Sequence, residues 1–283
     1  MTTASVRSNV TRPVERLRKG AWSQDDDVLA VEEPLEIRLL WEAAGQIVRK
    51  PIAVTMRTPG DDFELAAGFL YGEGIIAGQQ DVVDVSYCTD EDEEQRLNIV
   101  NVTLRPGLTF DAARLERNFY TTSSCGVCGK AALDALEVQG CAVLPPGPVV
   151  TAETVCALPG TLREAQAVFE RTGGLHASGL FTPDGSLLSL REDVGRHNAF
   201  DKLVGEHVLS GQTPLAEHIV MLSGRASFEL LQKALVARIP IVAAVGAPSS
   251  LAVELADSFN ITLCGFVKAD GLNVYTGKER ILR

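Results

Sequence analysis

The chain is 283 residues long, 46% hydrophobic and 22% charged, a composition that supports a sizeable core and excludes wholesale disorder. Its formal net charge of −11 leaves no general basic footprint for nucleic acid. The longest uncharged stretches, 138–152 and 239–253, are broken by Pro and Gly and fall short of the ~20 apolar residues a membrane helix needs.

Residues 1–24 carry Arg7, Arg12, Arg16, Arg18 and Lys19 but no apolar run, so they read as a flexible N-terminal tail and not as a secretory signal. Over 25–120 the patterning predicts a small α+β subdomain. Stretches 35–41 and 47–56 alternate as strands around a turn at Ala44-Gly45. Phe63, Ala66, Ala67 and Leu70 fall at helical spacing over 61–71, with Asp61 and Asp62 near the N-terminal dipole. Strands at 82–87 and 97–104 flank the run Asp90-Glu91-Asp92-Glu93-Glu94, whose mutual repulsion predicts a solvated loop. A short helix is expected at 111–118.

A polar stretch, 121–130, then precedes a second region, 131–283, with a different rhythm. Helices are expected at 131–138 and 162–171, the latter closed by Gly173-Gly174. A hairpin joins 175–181 to 186–190 through Pro183-Asp184-Gly185. Helix 198–209, strand 219–222, helix 228–238, strand 241–245, helix 251–259, strand 261–266 and strand 272–275 follow. Strands alternating with helices across short loops predict a layered α/β sheet.

The strongest local signal is Ser123-Ser124-Cys125-Gly126-Val127-Cys128-Gly129-Lys130. A C-x-x-C on a glycine-rich turn before a helix lowers thiol pKa through backbone N–H groups and the positive helix end, and Lys130 adds a nearby cation. Four chemistries compete for it. Structural zinc needs a second ligand pair, which is missing. Thioredoxin-like exchange would place the motif after the first strand of a βαβ unit. Zinc deamination needs H-x-E, but the chain has His176-Ala177-Ser178, and its C-x-x-C comes first and lacks the preceding Pro. A persulfide carrier needs a low-pKa, accessible, mobile thiol with a second thiol beside it, which the loop fits. The other cysteines, Cys88, Cys141, Cys156 and Cys264, are scattered and read as reduced bystanders of a cytoplasmic protein.

With these stretches in view the chain resembles the FdhD family of sulfur carriers. The likeness rests on S-S-C-G-V-C-G-K (123–130), G-G-L-H-A-S-G-L-F (173–181), E-D-V-G-R-H-N-A-F-D-K (192–202), L-S-G-R-A-S-F-E-L (222–230), V-G-A-P-S-S-L-A (245–252) and G-F-V-K-A-D-G-L-N-V-Y-T (265–276). It implies a cytidine deaminase-like layered α/β domain without the zinc ligands, preceded by the smaller α+β subdomain, with 25–283 as one family unit. It implies a sulfurtransferase-type carrier that takes sulfur from a cysteine desulfurase. That sulfur passes to the Mo-bis(molybdopterin guanine dinucleotide) cofactor before its insertion into formate dehydrogenase. The persulfide role then falls to Cys125, with Cys128 as a supporting thiol. The cofactor-contacting stretch falls on Phe266, Val267, Lys268, Ala269, Asp270 and Gly271. The resemblance also implies a homodimer and no metal site of the protein's own. A chaperone that holds the cofactor or the dehydrogenase subunit without transferring sulfur is the alternative.

Chemistry supports the C-terminal stretch in part. Phe266 could pack on a nucleobase, Lys268 meet a phosphate and Asp270 accept from a guanine edge; a plain turn between strands accounts for the same residues. The segment Leu222-Ser223-Gly224-Arg225, at a strand end before a helix, is a second candidate wall. Arg196 and His197, beside Asp193 and Asn198, predict a polar network at a helix start.

Overall fold

The computed structural model describes residues 7–89, 96–108, 110 and 141–283. The acidic run 90–94, the helices expected at 111–118 and 131–138, and the loop 121–130 with Cys125 and Cys128 lie outside the described residues. Among the described residues no helix is long and apolar enough to cross a membrane.

Where the charge pattern predicts a flexible tail through residue 24, residues 9–30 form a regular antiparallel ribbon of β1 (Asn9–Arg18) and β2 (Ala21–Ala30). Lys19 and Gly20 both take positive φ (51° and 80°), the geometry of a two-residue turn that matches strand twist. The strands do not alternate in sequence because neither face is buried in a core. Leu17 and Trp22, partners across the ribbon, are 56% and 69% exposed.

The next hairpin, β3 (Glu33–Ala43) and β4 (Gln46–Arg57), turns at Ala44-Gly45 as expected, again with both φ values positive (51° and 77°). Here Leu35, Ile37 and Leu39 are buried on one face. Strands β5 (Val82–Tyr87) and β6 (Ile99–Leu104) complete a four-stranded sheet in the order β4-β3-β6-β5. Helix α1 (Asp62–Gly72) covers its buried face with Leu65, Ala66, Ala67 and Leu70.

In the second region the helix expected at 162–171 is two elements, α2 (Ala152–Ala165) and α3 (Ala167–Thr172). Pro159-Gly160 reads as a break, yet α2 runs through it. Its start is capped by the Thr151 hydroxyl, which accepts from Thr154 N, and its face of Val155, Leu158 and Leu162 is buried. Gly173 closes α3 in the left-handed conformation at φ 65°.

The main sheet has six strands in the order β13-β12-β11-β10-β8-β9. They are β8 (His176–Phe181), β9 (Leu187–Asp193), β10 (Ile219–Leu222), β11 (Ile241–Ala244), β12 (Thr262–Lys268) and β13 (Gly271–Thr276). Strands β10, β11 and β12 are parallel, while β8 and β13 run against their neighbours. Their continuous apolar character follows from burial on both faces. Leu180, Val220, Leu222, Val242, Ala244 and Leu263 face helices α4 (Arg196–Leu209), α5 (Phe228–Val236) and α6 (Ser250–Ser258). Phe181, Ile219, Met221, Ile241, Ala243 and Cys264 face α2. A short parallel pair, β7 (Val150–Thr151) and β14 (Ile281–Leu282), ties the C-terminus beside α2. The mixed α/β class expected from the sequence is what the chain adopts.

The two regions share one core, which runs from Leu35 and Ile37 through α1 and α4 to Leu263. At the crossing of α1 and α4 the backbones touch. A Cβ on Gly68 would lie 1.9 Å from the Asp201 carbonyl oxygen, and one on Gly205 would lie 1.8 Å from that of Glu64. Only glycine permits that approach. Buried charges lock the same seam. Asp193 Oδ2 accepts from Lys202 Nζ at 2.8 Å and from Thr58 N at 3.0 Å. Its Oδ1 accepts from Gly195 N and Asn198 Nδ2, and Asn198 Nδ2 also donates to the Met56 carbonyl. Of the polar network expected at this helix start, the Asp193 and Asn198 half is present and joins the two regions, while Arg196 and His197 stand outside it.

Candidate functional site

Parallel strands deliver their C-terminal ends to one edge of a sheet. Here β9 ends at Asp193, β10 at Leu222, β11 at Ala244 and β12 at Lys268, while antiparallel β8 begins at the same edge with His176. The stretches 173–181, 192–202, 222–230, 245–252 and 265–276, distant in sequence, converge there.

Hydrogen bonds lace the loops at this rim beyond the strands themselves. Val245 N donates to Leu222 O, Gly246 N to Gly224 O at 2.9 Å, and Phe266 N to Gly246 O at 3.2 Å. Ala226 N donates to Ala247 O and Ser249 N to Ala226 O. A Cβ on Gly246 would lie 2.9 Å from Gly224 O and 3.0 Å from Arg225 N, so this backbone crossing requires glycine. The segment Leu222-Ser223-Gly224-Arg225 and the segment beginning at Phe266, separate candidates in the sequence, thus become neighbouring walls of one rim.

Phe266 is the most unusual residue of that rim. It is 47% exposed and holds φ at +52°, a conformation that costs a non-glycine residue about 1–2 kcal/mol. Strain of this kind clusters at ligand clamps and active sites. Its ring is presented to solvent at the point where β12 shifts register against β13. The other candidates of the stretch divide. Val267 is buried in the core on the α2 side and cannot face a ligand. Lys268 and Asp270 are both exposed and pair with each other at 3.3 Å. Ala269 and Asp270 form the turn into Gly271. Cys156 of α2 lies beneath it: burial and the Asp270 carboxylate push its thiol up, while the Gly271 N–H opposes them. Cys264 is buried, and burial pushes its thiol up to about 12. Cys88, Cys141, Cys156 and Cys264 all carry free thiols, consistent with bystander roles.

Around the other end of the rim stand His176, Arg196 and His197. His197 Nε2 lies 2.9 Å from Glu229 Oε2 and 3.2 Å from Ser227 Oγ. That contact holds the Glu229 carboxyl below its ordinary range. His176 Nδ1 would meet a Cβ on Gly224 at 3.2 Å. Burial, together with the neighbouring Arg196 and His197, holds the His176 ring below the usual histidine range. The Ser223 hydroxyl is committed to Ala177 N at 2.8 Å. Sequence reasoning noted Arg196 and His197 as a network but not their approach to His176. That proximity arises only when β8 pairs with β9, setting His176 opposite Asp193. Among the described residues no group of three His, Cys, Asp or Glu side chains could hold a metal ion.

Residues 30–282 match the model of the FdhD/NarQ family. The chain belongs to that family. It is 52% identical over 275 residues to a Streptomyces coelicolor protein named sulfur carrier protein FdhD, covering 95% of this chain and 94% of that one. A Mycobacterium tuberculosis protein of the same name is 51% identical over 262 residues, covering 90% and 92%. A Desulfotalea psychrophila protein, crystallised as a candidate formate dehydrogenase accessory protein, superposes with a TM-score of 0.74 at 23% identity. The match covers 98% of this chain and all of that one, and it shows a shared fold. The family match begins at residue 30, where β2 ends, so the N-terminal ribbon stands outside it.

Proposed function

We propose that this protein is a sulfur carrier for formate dehydrogenase, with Cys125 as the persulfide residue. The observation that carries the reading is the likeness at about half identity to relatives named as sulfur carriers, over nearly the whole chain, in a chain whose sequence carries a C-x-x-C motif. The Cys125 thiolate attacks the outer sulfur of a cysteine desulfurase persulfide. A new S–S bond forms on Cys125, the donor's S–S bond breaks, and the donor leaves as its thiolate. The Cys125 persulfide S–S bond then breaks as its outer sulfur passes to the Mo-bis(molybdopterin guanine dinucleotide) substrate in the rim, a dithiol reductant supplying the two electrons that bring that sulfur to the sulfide level and becoming a disulfide, and Cys125 returns to its thiol. Cys128 assists as the neighbouring thiol. Phe266 stacks on the guanine, and Lys268 and Asp270 exchange their mutual ion pair for contacts to the ligand. Val267 acts from beneath by packing, and Ala269 and Gly271 shape the turn. The six-stranded layer serves as a deaminase-like scaffold used for binding instead of zinc chemistry.

The test is complementation of a strain lacking the carrier. A Cys125→Ala/Cys128→Ala double variant should fail to restore formate dehydrogenase activity. Restoration would overturn the carrier and favour a chaperone that only holds the cofactor or subunit. Intact mass after incubation with a cysteine desulfurase and cysteine should show added sulfur in Cys128→Ala and none in Cys125→Ala; the reverse pattern would reassign the roles.

A further inference from the structure

The N-terminal ribbon spends its side chains unlike any other part of the protein. Over ten paired positions β1 and β2 bury no residue fully, although β2 packs along α3 and its last residue, Ala30, abuts Gly174. At the far end Leu17 and Trp22 sit side by side across the strands, both open to solvent. Trp41, by contrast, packs edge-on against Phe110 beside the core. A single exposed apolar residue needs no explanation, but a paired Trp and Leu held out on a ribbon without a core is a contact surface in waiting. The charges at the tip suit that role. Arg16 is spent within the ribbon, donating to Asp25 and Asp27 at 2.9 Å each. Arg18 and Lys19 form no ion pair among the described residues, and no acidic residue falls between 16 and 24. A chain of net charge −11 thus presents an indole, a leucine and two free cations at one tip.

Trp and Arg are the residues that dominate binding hot spots, and here the cations call for an acidic counterpart. The shape calls for a pocket. Strands of ten residues make an arm about 30 Å long, and Asp25, Asp26 and Asp27 lie about 10–17 Å behind Trp22. A broad anionic surface such as a lipid headgroup layer would meet those carboxylates and the acidic body behind them. A pocket that takes the tip alone would not. The base of the arm indicates whose pocket it is. Gly174, which touches Ala30, lies two residues before His176, where β8 starts at the rim, so the arm is rooted beside the ligand edge. A protein that takes over the ligand must come to that edge, whereas a sulfur donor need only reach Cys125. We propose that the ribbon is a docking arm for the formate dehydrogenase subunit that receives the ligand. Trp22 and Leu17 fill an apolar pocket of that subunit, and Arg18 and Lys19 meet carboxylates at its mouth. This rests on the carrier reading and adds the surface by which the recipient is held.

The test measures binding of the full chain to the purified catalytic subunit of formate dehydrogenase, produced without its cofactor, by biolayer interferometry at low and high salt. The wild type should bind. Trp22→Ala should weaken binding about tenfold or more, chiefly through faster dissociation. Arg18→Glu/Lys19→Glu should slow association, with the difference fading at high salt. Both variants should melt with the wild type and should take sulfur from a cysteine desulfurase at the wild-type rate. Equal affinity of Trp22→Ala and the wild type for the subunit, or no binding by the wild type, would overturn the proposal. Slower sulfur loading with unchanged subunit binding would also overturn it, making the arm a donor contact. Trp22-dependent binding to phosphatidylglycerol vesicles in place of the subunit would overturn it too, making the arm a lipid contact. Sulfur on Cys125 judges the carrier reading separately. A protein that loads sulfur and complements, but whose subunit binding ignores Trp22, loses this site alone; one that binds through Trp22 yet never takes sulfur loses the carrier function alone.

Discussion

The seam between the two regions and the rim at the sheet edge use the same kinds of residue, glycines and charges, to opposite ends. In and around the seam, Gly68 and Gly205 let two helices touch, and buried charges meet their counter-charges: Asp193 with Lys202, Asp62 with Arg57, Asp201 with Lys233. In the rim, Gly246 lets two loops cross, yet the buried Arg196 Nε has no hydrogen-bond partner and Phe266 stays strained. A satisfied charge is the mark of a structural element, while an unsatisfied polar atom or a strained backbone marks a place where the fold gives up stability. The run 192–202 contains both kinds: Asp193, Asn198 and Lys202 serve the seam, and Arg196 stands at the rim.

Substitutions at the two places should therefore differ in sign as well as size. Lys202→Met leaves Asp193 buried without its cation and should cost about 3–5 kcal/mol; a chemical denaturation midpoint near that of wild type would show that the seam is less tightly determined than its geometry implies. Gly205→Ala places a methyl group against the Glu64 carbonyl, where backbone and not a flexible side chain must yield, and should cost about 3 kcal/mol. Retention of the native melting temperature by this variant would show that α1 and α4 can separate freely. At the rim, Phe266→Asn supplies a residue that tolerates positive φ. It should raise the stability of the ligand-free protein by up to about 1 kcal/mol while weakening guanosine diphosphate binding. A destabilised variant with intact nucleotide binding would remove Phe266 from the site. Beyond both places, Trp22→Ala on the exposed ribbon should stay within about 0.5 kcal/mol of wild type, read from the same melts.

The two glycine-turn hairpins show how far the sequence could be read. Lys19-Gly20 and Ala44-Gly45 make the same turn with nearly the same φ values. The second was legible because Leu35, Ile37 and Leu39 alternate toward a core; the first was not, because the ribbon has no buried face to impose a period of two. Only the last turn of helix α2 was legible, for a related reason. Local propensity at Pro159-Gly160 argues for a break, and burial of Val155, Leu158 and Leu162 against the sheet outweighs it.

By itself the sequence determined the order of strands and helices over 33–104 and 176–276, the turn at Ala44-Gly45, the Gly173 cap, the family and the stretches that carry its candidate site. These are properties of local periodicity and of short motifs, which depend on neighbours within a few positions. Only the tertiary structure decided that Leu222-Ser223-Gly224-Arg225 and Phe266 form one rim, that Val267 points into the core while Phe266 points out, and that Arg196 Nε lacks a hydrogen-bond partner whereas Asp193 has its cation. Whether a charge is paired depends on which strand ends the sheet brings together, and strand pairing between residues such as His176 and Asp193 leaves no trace in the spacing along the chain.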